Sequence, residues 1–254
     1  MSAQSRWYSM QRFSWLMLIV TSFFSFHVNA GPDISIGTMY DYLGPERSTL
    51  LKRIRNLGDA SAFVSVSLAE IHFDKEGRAS EVALEGSAGE QRALIVTPTR
   101  LILAAGGTQS ARLIFRGDRE QERYFRLRFT PVMPGRGNDF GLDDRAVEAY
   151  RAKLDAQLSV LAGYGTVLLV SPKSPRFQTS ILDTSRQITV GNRGNATVVL
   201  EELRDCAPDG SECSAPATVH VRPGSTFEIK RLPGRVHRFE RVEGGKRKAF
   251  EYGA

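Results

Sequence analysis

Cys206 and Cys213 are the two residues of this sequence best placed to make a covalent bond to each other. The stretch between them, Ala-Pro-Asp-Gly-Ser-Glu, is rich in turn formers. An even cysteine pair in an exported chain reads as a disulfide. Closing so short a loop is worth about 2–3 kcal/mol in the chain-entropy picture. A tetrahedral metal site needs further Cys or nearby His, and the sequence offers none, so no metal is expected. His72, His220 and His237 stand isolated among strand-like or basic residues. There is no Gly-x-Ser-x-Gly elbow and no His-Glu-x-x-His, and the acidic residues form no pair suited to acid–base work. Gly106-Gly107 lies between strand-like runs, where a hairpin turn explains it better than a phosphate loop. No catalytic residues and no cofactor are expected. The strongest signal is for association. In the apolar stretch Gln157–Val170, Leu158, Val160, Ala162 and Tyr164 fall on one face of a strand, and Val167–Val170 is continuously apolar. On periodicity alone, a core strand explains the run at least as well as a binding strand.

These residues must be positioned by β-strands. Residues 1–30 carry Arg6 and Arg12, an uncharged apolar run from Phe13 to Phe26, and small residues Val28 and Ala30, the plan of a cleaved export signal. The alternative is an uncleaved anchor, for which the apolar run is short. The remaining chain of about 220 residues has room for two domains. Ala62–Leu68, Ala93–Val96, Arg100–Leu103, Ser110–Phe115 and Arg123–Phe129 are short β-rich runs punctuated by Gly, Pro and Asp, as in a β-sandwich. Composition favours a mobile loop over Pro134–Lys153 rather than a short helix at Arg145–Leu158. Ser171-Pro172-Lys173-Ser174-Pro175 is a stiff connection that divides residues 31–171 from residues 172–254. Ile54–Ala60 resembles Val190–Ala196, and Leu101–Leu113 resembles Val219–Ile229, which suggests two related sandwiches. The formal net charge of +6 is scattered and forms no stripe for nucleic acid.

From about Ile34 onward the chain resembles the periplasmic chaperones of chaperone–usher pili, most closely their alternate branch. The resemblance rests on Ile54–Asn56, Leu94–Leu103 with Thr97-Pro98, Arg123-Tyr124-Phe125-Arg126, Tyr164–Pro172, Asn192–Thr197 and Asp205–Cys213 with its cysteine pair. It implies an all-β fold of two immunoglobulin-like β-sandwich domains in a boomerang arrangement. It also implies a periplasmic protein, not membrane-embedded once its signal is cleaved, with pilus subunits (pilins and a tip adhesin) and an outer-membrane usher as partners. The long strand before the domain boundary would fill the groove of an incomplete subunit, with Leu158, Val160, Ala162 and Tyr164 as the donated face. Classical members hold the subunit carboxylate with an Arg and a Lys. Their places fall near Met39 or Tyr40 and at Val167, none of them basic. Thr166, Lys173, Arg112 and Arg55 are therefore the candidate anchors, and Glu120 the candidate acid between the domains. A secreted immunoglobulin-like adhesin or structural module and a secreted hydrolase on a β scaffold are the rival readings.

Overall fold

A computed structural model describes residues 31–84, 92–135, 140–155 and 161–253. The export signal proposed for residues 1–30 lies outside them. In the first half the strands are β1 (Ile34–Ser35), β2 (Tyr40–Leu43), β3 (Thr49–Asn56), β4 (Ala62–Phe73), β5 (Ala79–Ala83), β6 (Leu94–Thr97), β7 (Arg100–Leu103), β8 (Thr108–Phe115), β9 (Arg123–Pro131) and β10 (Tyr164–Val170). One sheet has the order β1-β3-β8-β6. The facing sheet has the order β2-β10-β9-β4-β5, with β7 also paired to β4. Alternation along each strand sends one side chain in two into the space between the sheets. Ile54, Val64, Leu68, Leu113, Phe125, Leu127, Phe129, Leu168 and Val170 fill it.

The second half forms a smaller sandwich. One sheet is β11 (Thr179–Asp183), β12 (Gln187–Asn192) and β15 (Thr226–Lys230). The other has the order β14 (Ala217–Val221), β13 (Val198–Cys206), β16 (Val236–Glu243) and β17 (Lys246–Tyr252). Ile188, Val190, Val198, Leu200, Val221, Ile229 and Phe239 form its core. The Cys206–Cys213 disulfide is formed and staples the loop that leaves β13.

The internal similarity of the sequence has an atomic counterpart. Buried Asn56 ends β3, and its side-chain amide donates to Ala60 O at 2.7 Å and Leu103 O at 3.1 Å. Its Oδ1 accepts from Gly58 N at 3.1 Å. Buried Asn192 ends β12 and repeats the set, donating to Ala196 O at 2.8 Å and Val221 O at 2.9 Å and accepting from Gly194 N at 2.9 Å. Both glycines are needed for close approach, because a Cβ at Gly58 would overlap Gly31 O and one at Gly194 would overlap Arg176 O. Each asparagine thus ties a strand end to the hairpin that leads into its neighbouring strand, β7–β8 for Asn56 and β14–β15 for Asn192.

The expected mobile loop at Pro134–Lys153 is corrected in part: Asp144–Asp155 is a helix, α1. Asp143 caps it, its Oδ1 accepting from Ala146 N at 2.7 Å. Val147, Tyr150 and Leu154 recur at helical spacing, and Val147 and Leu154 are buried. Tyr150 sets its ring edge-on to Phe63 at 4.7 Å and donates to Ser61 O at 2.7 Å. Tyr150 thus finds its partner in Phe63 on the outer face of β4.

Replacing Asn192 by Ala leaves two buried carbonyls and one N–H without their partner. The expected cost is about 2–3 kcal/mol, seen as a lower midpoint in urea unfolding of the second sandwich, with Asn56→Ala giving a loss of the same order in the first.

Candidate functional site

β10 is paired along its whole length on one side, Tyr164 opposite Phe129 through Val170 opposite Arg123. On the other side it is paired only in part. The parallel strand β2 runs beside Val167–Val170, and the first bond of that ladder is Val167 N donating to Met39 O at 2.9 Å. Successive residues of a strand aim their N–H and C=O groups to opposite sides. Val167 faces β2, so Gly165, two residues earlier, aims its backbone groups to the same side, where the parallel β2 has not yet begun. The chain therefore presents an open sheet edge at the start of β10.

The side chains around that edge follow the same alternation. Tyr164, Leu168 and Val170 face the core of the first sandwich. Ala162 is exposed and Tyr164 half-buried, so Ala162, of the same parity, carries this apolar row past the end of the sandwich. Leu158 and Val160, the other two residues of the expected donated face, lie outside the described residues. On the opposite face, Gly165 leaves room for the aliphatic part of Arg126, whose Cδ would be 3.4 Å from a Cβ there, and Gly163 lies against the backbone of β9, with Phe129 O 3.3 Å from such a Cβ. Arg126 and Arg128 both bind Glu81 across the sheet.

What holds β2 to this starting point is a buried charge. Lys52 of β3 points into the sandwich between Leu50 and Ile54 and is 3 % exposed. Its ammonium meets Asp41 at 2.8 Å and donates to Thr38 O at 2.6 Å. The start of β2 is thus pinned to the opposite sheet. A lysine on the inward parity of an otherwise apolar strand was the sequence signal for it, and sequence reasoning passed over it.

At its other end β10 leads to the junction of the two sandwiches. Tyr40 and Val167, where the family's basic pair would fall, are partners across the β2–β10 ladder. Tyr40 stacks on His220 of β14 at 4.0 Å, and the Tyr42 hydroxyl lies 2.6 Å from His220 Nε2. Burial pushes the Tyr42 hydroxyl up to about 12, so it keeps its proton. Burial also lowers His220, against the pull of Glu201. A second cluster crosses the junction at Glu122. Its carboxylate accepts from Thr197 N at 2.9 Å, Thr197 Oγ1 at 2.6 Å and the Tyr124 hydroxyl at 2.6 Å. Burial raises the Glu122 carboxyl even though these bonds favour its charged form. Arg119 donates to Ser171 O at 2.8 Å and Gly44 O at 3.2 Å, joining the β2–β3 turn to the connection between the sandwiches. Arg222 of the second sandwich lies 3.6 Å over the Phe73 ring of the first. Beside these contacts is a cleft of about 440 Å³ lined by Tyr42, Leu169, Phe177, Val199, Val242 and Arg247, among others.

The expected anchor residues do not come together here. Thr166 is 0 % exposed and faces the core; its hydroxyl has no partner among the described residues. Lys173 is exposed, and its backbone N–H donates to Arg119 O at 2.9 Å. Arg55 and Arg112 are exposed on the outer face of the other sheet. Glu120 is exposed, and the acid that crosses the junction is Glu122, two residues later. The sequence placed the acid in the right turn and on the wrong residue.

Comparison with known proteins adds to this geometry. No family model matches the chain. The probable fimbrial chaperone EcpB of Escherichia coli O7:K1 is 24 % identical over 213 residues, covering 83 % of this chain and 82 % of that protein. The chain is thus similar over most of its length to a probable fimbrial chaperone. Among solved structures, the class 5 fimbriae chaperone CfaA superposes with a TM-score of 0.53 at 17 % identity, covering 87 % of this chain and 98 % of that one. A chain of the CsuC–CsuE chaperone–tip adhesion subunit pre-assembly complex of Acinetobacter baumannii gives 0.50 at 14 % identity, covering 86 % and 97 %. The fold is the two-domain, immunoglobulin-like fold of these pilus chaperones. In chaperone terms the open edge belongs to the last strand of the first domain, and Tyr40, Tyr42 and Glu122 hold the second domain against that strand's base.

The lowered His220 gives this junction an acid sensitivity. Its folded-state value lies below the ordinary 6.5, so its contribution is complete above about 6.5 and is lost as pH falls below it. Glu122, raised by burial, contributes with the opposite sign, and His237, buried and lowered, with the same sign. His220→Phe, which keeps the stack on Tyr40, isolates the term. Small-angle scattering from pH 7.5 to 5 is expected to show a looser junction in the parent at low pH and a flatter response in the variant.

Proposed function

We propose that this chain is a periplasmic chaperone that binds pilus subunits by donating to them the segment 158–164, which leads into β10, and delivers them to an outer-membrane usher. The observation that carries the reading is the half-paired β10, whose outer backbone groups are satisfied by β2 only from Val167 onward. A pilus subunit that lacks its last strand has two needs, backbone partners for its open edges and apolar side chains for its groove. An edge strand with apolar residues at alternate positions meets both. Leu158, Val160, Ala162 and Tyr164 are the donated face, and of these Ala162 and Tyr164 share the parity of the core residues Leu168 and Val170. Burying each of the larger side chains contributes about 1.5–3 kcal/mol before ordering costs.

The fimbrial chaperone homologue and the fold shared with a chaperone–tip adhesion subunit complex support pilins and tip adhesins as the clients. The reading includes a cleaved signal over residues 1–30, a first domain over 31–171 and a second over 172–254. It requires no cofactor and no catalysis. Client binding adds strand pairing to an edge that exists already, and release follows when another strand takes its place. The carboxylate anchor of classical members has no basic counterpart at Tyr40 and Val167, so strand pairing and groove filling carry the binding.

Substituting Leu158, Val160 and Ala162 by Ser, Asp and Ser tests this. Co-expression with a pilin that the parent protein keeps soluble is expected to yield at least about tenfold less soluble pilin than the parent, the loss of more than 1.4 kcal/mol of binding. The variant's own thermal midpoint is expected to stay near the parent's. Unchanged pilin recovery would overturn the donor-strand assignment.

A further inference from the structure

The sheet opposite β10 has a face that the chaperone reading leaves unused. In the order β1-β3-β8-β6, the outward positions are Ser35 on β1; Thr49, Leu51, Arg53 and Arg55 on β3; Thr108, Ser110, Arg112 and Ile114 on β8; and Ile95 and Thr97 on β6. None is acidic. Arg53, Arg55 and Arg112 are exposed, and none of the three has an ion pair among the described residues. This contrasts with other arginines of the chain. Arg123 meets Glu70 at 2.7 Å, Arg235 meets Asp205 at 2.6 Å and Arg238 meets Glu251 at 2.9 Å. Beside the three arginines, Leu51 is 59 % exposed and lies opposite Arg112 in the strand register.

We propose that this face is a docking surface for an acidic protein segment in extended conformation, with Arg53, Arg55 and Arg112 pairing its carboxylates and Leu51 meeting an apolar side chain. The spacing sets the partner's pattern. Arg53 and Arg55 are alternate residues of one strand, about 7 Å apart. Arg112 sits opposite Leu51 and so is a diagonal neighbour of Arg53, about 7–8 Å away. Carboxylates at alternate positions of an extended chain recur at the same interval. Planar guanidinium groups bind carboxylates through two parallel hydrogen bonds, which rewards this match over a diffuse acidic cloud. A second copy of this chain fits less well, because many of its acids are already tied, among them Glu70, Glu81, Asp183, Asp205 and Glu240. A membrane fits less well too, since among the described residues Leu51 is the one large apolar side chain well exposed on these four strands, with Leu57 just past the end of β3. The surface lies on the sheet that does not contain β10, so it is available while a client occupies the open edge.

The test uses the mature protein and two peptides of about twelve residues with equal Glu and Thr content, one strictly alternating and one with its Glu in a block. The alternating peptide is expected to bind at least about tenfold more tightly, with NMR shifts on β3 and β8. The triple variant Arg53→Glu, Arg55→Glu, Arg112→Glu is expected to lose that binding. A control variant with Arg145, Arg151 and Arg186 changed to Glu has the same net charge and is expected to keep it. Equal binding of the two peptides, or equal loss in the two variants, reduces the face to bulk charge and overturns the proposal. So does binding of phosphatidylglycerol vesicles through the three arginines with no binding of the alternating peptide. A triple variant that no longer recovers pilin would point to a damaged fold and also count against it. Intact pilin recovery with lost peptide binding supports the face and leaves the donor strand as a separate question.

Discussion

An unpaired strand edge is costly, and much of this molecule is arranged around one. Backbone N–H and C=O groups at a sheet edge attract any strand that can pair with them. Here β2 closes the edge of β10 only from Val167 onward. Lys52 decides where it begins. Its ammonium, inside the first sandwich, needs both Asp41 and the carbonyl of Thr38. A buried ion pair adds little net stability, but removing either partner strands the other charge in the core. The pair therefore acts as a stop. It fixes the start of β2, and with it the length of β10 left open. Lys52→Met with Asp41→Leu would remove the stop at little cost to the core, and β2 would be free to pair further along β10.

The base of the same strand is held as firmly as its start is left open. Arg119 ties the connection between the sandwiches to the β2–β3 turn, and Glu122, Tyr42 and His220 join the two bodies beside it. These contacts are polar and sit next to apolar ones, Leu169 and Val199 among them, both buried. Apolar burial supplies attraction without direction, whereas hydrogen bonds with fixed geometry supply orientation. Glu122 shows the trade. Its burial disfavours the charge, and three donors converge on it to compensate. The second sandwich is thereby kept at a set angle to the open edge, as a surface against which a partner of that edge can rest.

Much of the fold was legible because two periodicities carry it. Strand-like runs identified much of the first sandwich, the second was read from its similarity to the first, and the repeat of Ile54–Ala60 in Val190–Ala196 corresponds to the Asn56 and Asn192 ties. The misreading of α1 came from weighing composition over period: Val147, Tyr150 and Leu154 are few among many charges, yet their spacing is helical. The site was less legible. The open edge is a property of pairing, set by where β2 begins, and no local pattern in β10 states it. Glu120 and Glu122 lie in one short turn, and which of them reaches Thr197 depends on how the turn is folded. Arg55 and Arg112 were named as candidate anchors, but their parity on β3 and β8 sends them outward from a sheet that does not contain β10.

An edge that must receive one partner must also avoid the others. Three features limit it. It is short, since β10 begins at Tyr164 and β2 covers it from Val167. The residues that flank it toward solvent are glycines, Gly163 and Gly165, which offer an approaching strand no apolar side chain on that face. The charged group of Arg126, Arg128 and Glu81 borders the same face. A stray strand would therefore gain a few backbone bonds and little burial, and each such bond is worth only about 1 kcal/mol net. A client with an unfilled groove gains the apolar row as well, at about 1.5–3 kcal/mol for each large side chain. The discrimination between a proper client and an accidental one then resides in the groove, since the backbone edge is the same for both.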